Sequence, residues 1–233
     1  MMINFPTTVI DDYFEDPRGV YKLAQSDKIT WFRSGNGAWP GVRSQPIHEL
    51  DNAFFTYMMK KFLYTFYTHD NLMKSNFSFE ATSFFQRIEG DWSTGWIHSD
   101  HPDICTKIIY LTPNANTESG TSIYSKKSLN TESKWEDVKQ AYYLGKISKE
   151  EAEVARIKNN EGFVEETFVA NKFNRAIAFD SHLWHGAKDL NNTEERLTIV
   201  TFIHSIVIDS KPISRMRQVQ LFRDSEQPKL DVV

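Results

Sequence analysis

The change of hydrophobic period near residue 78 constrains this fold more than any other feature. Before it, "LDNAFFTYMMKKFLYTFYTH" repeats apolar residues at helical spacing (Phe54, Phe55, Met58, Met59, Phe62, Leu63, Phe66), which predicts a long helix packed on a sheet. From "NFSFEATSFFQRIEG" onward the pattern is that of strands. "CTKIIYLTP" is a short apolar run ended by Pro113, "TSIYS" is another, and "GFVEETFVA", "RAIAFDS" and "RLTIVTFIHSIVI" follow. One helical stretch interrupts them. "TESKWEDVKQAYYLGK" and "SKEEAEVARIKNN" read as two helices, the second opened by a Ser148–Glu151 capping box. Upstream, "FPTTVIDDYF" is a short extended piece, Asp16 caps a helix that starts at Pro17, and "GNGAWPGVRSQPI" is loop, dense in Gly and Pro. Strands in runs, with helices set apart from them, give a mainly β or α+β class.

At 233 residues, 40% of them hydrophobic, the chain suits a single domain with a sizeable core. Residues 1–78 are its helical support, 79–124 and 162–210 its β core, and 125–161 a helical insertion. The insertion reads as solvated surface, or more sharply as a lid. A net charge of −4 gives no general attraction to nucleic acid, and "KKSLN" and "RMRQVQLFR" read as solvated surface. The single cysteine, Cys105, allows no intrachain disulfide and sits in an apolar run as an inert core residue. The start "MMINFPTTVIDDYF" lacks the pattern of a signal peptide, and no apolar run reaches the length of a membrane span. The expectation is a soluble, cytoplasmic chain with no membrane partner.

The stretch "WIHSDHPD" contains His-any-Asp twice, as His98 with Asp100 and as His101 with Asp103. Seven histidines in the chain make an accidental match easy, so context carries the weight. Strand alternation would put His98 and Asp100 on one side, as two ligands of one ion require. Pro102 restricts His101 and favours a turn, so the second pair suits a metal less well. A facial triad needs a third ligand from elsewhere in the fold, and "RAIAFDSHLWHGA" offers His182 or His185. Downstream, "ERLTIVTF" opens a strong strand with Arg196, whose planar fork suits a carboxylate, and Thr198 shares its face.

Taken in order, "WIHSD", "KIIYLTP", "SGTSIY", "FNRAIAFDSHLWH" and "ERLTIVTF" resemble the iron(II)- and 2-oxoglutarate-dependent dioxygenases, on their prolyl 4-hydroxylase-like branch. "WPGVRS" and "FNRAIAFDS" look like segments of a phage and bacterial subgroup of that branch. The resemblance covers roughly residues 80 to 205. It implies a double-stranded β-helix, or jelly-roll, core. It implies Fe(II) held by His98, Asp100 and His185, since His185, four residues after Ser181, falls in the family's register and His182 does not. Arg196 matches the residue that binds the far carboxylate of 2-oxoglutarate. Tyr110 matches a tyrosine that bonds the same carboxylate, with Thr198 as a further donor. "SGTSIY" resembles the family's Gly-Gly-Thr segment. Where many relatives carry a tyrosine ahead of the His-any-Asp pair, this chain has Ile88, and Trp96 is the residue that could wall the pocket instead. Trp92 and Trp184 also flank the site in sequence.

The activity implied is oxygenation by Fe(II), 2-oxoglutarate and O2, with ascorbate as a reductant, and hydroxylation of a protein or peptide side chain as the branch analogy. The rivals are an oxygenase of nucleic acid or of a small molecule, and a β-helix binding domain without activity. A zinc hydrolase would need a general base by the ion and has no use for Arg196.

Overall fold

The computed structural model describes residues 5–74, 76–90, 95–128, 135–190, 193–210 and 212. The long helix expected in the N-terminal part is α3 (Asn52–Phe66), whose first turn Asp51 caps by accepting from Phe54 N. It buries Phe55, Met58, Met59, Phe62, Leu63 and Phe66, the apolar stripe read from its sequence. Before it come β1 (Thr8–Ile10), α1 (Pro17–Ala24), β2 (Trp31–Arg33), β3 (Val42–Ser44) and the single turn α2 (Ile47–Leu50). Asp16 caps α1, accepting from Gly19 N at 2.9 Å. The Gly/Pro-rich segment is therefore not all loop. Val42–Ser44 forms a strand because it pairs with Gln86 and Arg87, more than 40 residues away.

After α4 (His69–Lys74) the chain turns to strands: β4 (Ser78–Gly90), β5 (Cys105–Tyr110) and β6 (Thr121–Lys126). The insertion follows as α5 (Glu136–Tyr143) and α6 (Lys149–Asn160), the latter opened by the reciprocal Ser148–Glu151 capping box. The start expected for the first of these helices, at residues 131–134, lies outside the described residues, as does "RMRQVQLFR". Then come β7 (Phe163–Val169), β8 (Ala176–Asp180), β9 (Trp184–Ala187) and β10 (Thr193–Val207). The major sheet runs β1-β8-β5-β10-β4-β3-β2 and the minor sheet β7-β6-β9, all pairs antiparallel.

Alternation along the strands sorts the core into two layers. Cys105, Ile109, Ala176, Ala178, Leu197 and Ile199 pack against α3 and the N-terminal helices. Ile108, Tyr110, Ile177 and Phe179 face the minor sheet, where Ile123 and Val169 meet them. This is the double-stranded β-helix with helical support on one face, of mixed α+β class. Cys105 is buried and free, and burial pushes its thiol up, so it packs as an inert residue. No helix among the described residues is long and apolar enough to cross a membrane.

Lys107 is the exception in the helix-facing layer. It is 1% exposed, with Nζ 3.4 Å from the Tyr13 hydroxyl and over the rings of Tyr13 and Phe62. No carboxylate pairs with it among the described residues. Burial lowers its ammonium from 10.5 to about 7. The unfolded chain therefore binds a proton that the folded chain releases between about pH 7 and 10.5, and stability rises with pH across that window. Lys107→Met is expected to raise stability at pH 7 by roughly 2 kcal/mol, since an apolar isostere removes an unpaired buried charge. Denaturant midpoints at pH 7 and pH 10 check this. The wild type should gain stability between them and the variant should not.

Candidate metal centre

Gly95–Asp100 runs beside β9, but not as a regular strand. Gly95 N donates to Ala187 O, while His98 and His185 exchange both backbone bonds in an isolated bridge at 2.9 and 2.8 Å. Asp100 N donates to Ser181 O at 2.9 Å. The expectation that strand alternation aligns His98 with Asp100 is thus corrected. What aligns them is this intermittent contact with β9 and the turn before it. The approach needs two glycines, because a Cβ on Gly95 would lie 2.1 Å from Ala187 O and one on Gly186 2.9 Å from Trp96 O.

The bridge brings the two imidazoles to a centroid separation of 4.5 Å. His98 Nδ1 lies 2.8 Å from Trp96 O and His185 Nδ1 2.9 Å from Leu183 O. A carbonyl can only accept, so each Nδ1 carries a proton and each Nε2 is the nitrogen left to meet an ion. Both Nε2 atoms face Asp100, His98 at 3.5 Å from Oδ1 and His185 at 3.3 Å from Oδ2. One ligand atom from each of the three residues lies within 4.8 Å of the others, close enough for one ion. Two imidazole nitrogens and one carboxylate oxygen are the donor set of a facial triad, so the residues fit the metal that the sequence implies.

Neighbouring groups hold this set in place. Thr106 Oγ1 donates to Asp100 Oδ2 at 2.7 Å and lies 2.9 Å from Ser181 Oγ. At the C-terminus of α6, Asn160 accepts from Ile97 N and donates to Gly95 O, and Asn159 donates to Ile97 O, all at 3.1 Å. The insertion thereby clamps the backbone that leads to His98. Burial opposes charge on Asp100, but the adjacent His185 and His98 outweigh it and hold the carboxyl well below the usual range. Burial and His185 lower His98. Burial also opposes protonation of His185, which its contact with Asp100 nonetheless raises.

The competing pair does not join this set, although His101 and Asp103 line the same cavity. Asp103 accepts from His204 Nδ1 at 2.6 Å, and the His101 ring packs edge-on against His182 at 5.0 Å. His182 Nδ1 lies 3.0 Å from Asp180 Oδ1.

The triad opens into a cavity of about 560 Å³, which Arg196 also lines. Arg196 is 5% exposed and donates from Nε to Ser119 O at 2.8 Å. Its guanidinium lies over the Tyr110 ring, and the Tyr110 hydroxyl donates to Thr121 Oγ1 at 2.7 Å. Thr198, fully buried on the same side of β10, makes a long 3.5 Å contact to Gln86 O. Ile88 and Trp96 line the cavity, and α5 closes one side with Glu136, Lys139 and Tyr143. Trp184 does not line it and packs instead on Phe163. Trp92 lies outside the described residues.

The model of a family of unknown function, DUF6445, matches residues 3–203. The chain belongs to that family. Among curated proteins no sequence matches it. Among solved structures, HygX from Streptomyces hygroscopicus, with nickel and 2-oxoglutarate bound, is similar at 11% identity and a TM-score of 0.53, covering 86% of this chain and 83% of its own. AviO1 from Streptomyces viridochromogenes Tue57 is similar at 12% identity and a TM-score of 0.50, covering 90% and 94%. A prolyl hydroxylase from Trichoplax adhaerens, in complex with a peptide fragment, is 14% identical over 85% and 83%, with a TM-score of 0.46. At such identities the likeness to HygX and AviO1 is one of fold, the double-stranded β-helix.

In this DUF6445 chain the cavity also holds residues that sequence reasoning passed over. Arg43 and Trp39 come from the segment read as loop, and Lys139 from the insertion. Lys139 is paired with Glu136 at 2.9 Å. Arg43 has no acidic partner among the described residues. Only the arginine in "WPGVRS" signalled it, and nothing local in the sequence shows where it points.

Proposed function

We propose that this protein is an Fe(II)- and 2-oxoglutarate-dependent oxygenase that hydroxylates a C–H bond. The observation that carries the reading is the pair of Nε2 atoms of His98 and His185, each ring fixed by its Nδ1–H on a backbone carbonyl and turned to the Asp100 carboxylate. His98, Asp100 and His185 would hold the iron. When bound, the metal supplies O2 activation, with 2-oxoglutarate as the two-electron reductant and ascorbate as the agent that restores Fe(II). Arg196 would pair its guanidinium with the far carboxylate of 2-oxoglutarate, with Tyr110, already in contact with it, and more weakly Thr198 beside it. Ile88, Trp96 and Val200 give that space apolar walls and keep water from the reacting centre.

A peptide side chain, prolyl above all, is the substrate that the sequence resemblance implies. The cavity favours the second reading, a small molecule, since its volume lies within the range of small-ligand sites and α5 covers one side. A nucleic acid fits less well. Arg43, Lys139 and Arg196 share the cavity with Asp100, Asp103 and Glu136, which is no basic groove.

Anaerobic protein mixed with Fe(II) and 2-oxoglutarate is expected to show the weak visible metal-to-ligand band, absent from His185→Ala. No band in the wild type, or a band that survives the substitution, would sink the reading. Succinate release under air then follows turnover without knowledge of the substrate.

A further inference from the structure

We infer that Arg43 is a specificity-determining residue that binds a carboxylate of the primary substrate, so that the substrate is a small carboxylic acid with an apolar body. This rests on reading the cavity as an oxygenase site, and it adds what that site selects. Arg43 lies on β3, paired with Gln86 of β4, and lines the same cavity as the triad and Arg196. Its Nε donates to Gln86 Oε1 at 3.1 Å, and Gln86 Nε2 is itself held on Pro40 O at 3.1 Å. Its guanidinium lies 4.3 Å from the Trp39 ring centroid and 5.2 Å from that of Phe202. The fork is thus locked in orientation before any ligand arrives.

What the fork lacks is an acceptor. Among the described residues its Nη nitrogens have no hydrogen-bond partner and no ion pair. Burial lowers Arg43 to about 10, partly offset by Asp100, so it is charged at neutral pH. Among the described residues the indole N–H groups of Trp39 and Trp96, both lining the cavity, are buried without a hydrogen-bond partner. These groups are all donors, so they suit a ligand rich in acceptors. Charge decides which kind. Lys139 is already neutralised by Glu136, and Arg196 is assigned to the cosubstrate, so one uncommitted positive charge remains. One planar fork and one charge match a carboxylate, whereas a phosphate dianion would bring a second charge with no partner. Ile88, Val200, Trp39 and Phe202 offer the remainder of the ligand an apolar wall.

Calorimetric titration of the Fe(II)/2-oxoglutarate-loaded protein under anaerobic conditions, and of the metal-free protein, tests this with matched probes. Phenylacetate is compared with phenylacetamide, and hexanoate with hexanamide. Each acid should bind about tenfold or more tightly than its amide, and Arg43→Gln should bring each pair within about twofold. Arg43→Lys, which keeps the charge and loses the fork, should retain part of the preference. The same calorimeter measures 2-oxoglutarate on each variant, and an affinity within about threefold of wild type shows an intact fold. Four outcomes overturn the inference: acids and amides binding alike in the wild type, no saturable binding of any acid, a preference that survives Arg43→Gln, or a loss of 2-oxoglutarate affinity in that variant beyond about tenfold, which would assign Arg43 to the cosubstrate. An acid preference in a wild type that shows no visible band leaves the Arg43 site standing and removes the oxygenase reading instead.

Discussion

Asp100→Ala is expected to lower Fe(II) affinity by about three orders of magnitude or more, a larger loss than the roughly 10- to 100-fold typical of changes to a ligand's supporting partners. Asp100 is the one anion in the donor set, and both imidazoles turn their Nε2 atoms to it. Without it, two nitrogens remain for a cation that also takes oxygen donors, and the donor set itself carries no negative charge to offset the ion. The variant also leaves the Thr106 hydroxyl with Ser181 as its remaining partner, so the fold should persist. Anaerobic competition against a chromogenic chelator measures the affinity. Asp100→Glu restores the charge on a longer arm and should recover only part of it. Retention of affinity within about tenfold in the alanine variant would remove Asp100 from the metal site.

The contrast between Asp100 and Arg43 shows what the sequence makes legible. The strands β5, β8 and β10 announce themselves by short runs rich in apolar residues, and their antiparallel pairing closes the core that the resemblance implies. His98 and Asp100 are legible by their spacing, although strand alternation was the wrong reason. The segment is held by intermittent contact with β9, which depends on Gly95 and Gly186 rather than on a period. Arg43 is illegible for a related cause. A three-residue strand has too few positions to show a period, and its register comes from Gln86, 43 residues away. Asn159 and Asn160 end a stretch legible as a helix, yet their partners Ile97 and Gly95 lie more than 60 residues back in the chain. Local pattern reports which face is buried. It does not report which donor meets which acceptor across the fold.

Arg196→Met should weaken 2-oxoglutarate by about 100-fold or more while sparing Fe(II), because it removes a buried charge-assisted fork worth roughly 3 kcal/mol. The loss of affinity alone could have a trivial cause, since the variant also deprives Ser119 O of its donor and could loosen the loop before β6. A second ligand separates the two. 2-Oxobutyrate keeps the 2-oxo acid end of the cosubstrate and lacks the far carboxylate, so it never needs Arg196. The wild type should prefer 2-oxoglutarate strongly, Arg196→Met should bind both alike, and 2-oxobutyrate should bind the two proteins equally. That pattern isolates the pairwise interaction in the manner of a double-mutant cycle. Arg196→Lys keeps a charge beside Tyr110 but cannot present two parallel donors, so its preference should fall between the two. A preference that persists in Arg196→Met would mean that another group holds the far carboxylate, and Arg43, the other cation in the cavity without an acidic partner among the described residues, is where that group would first be sought.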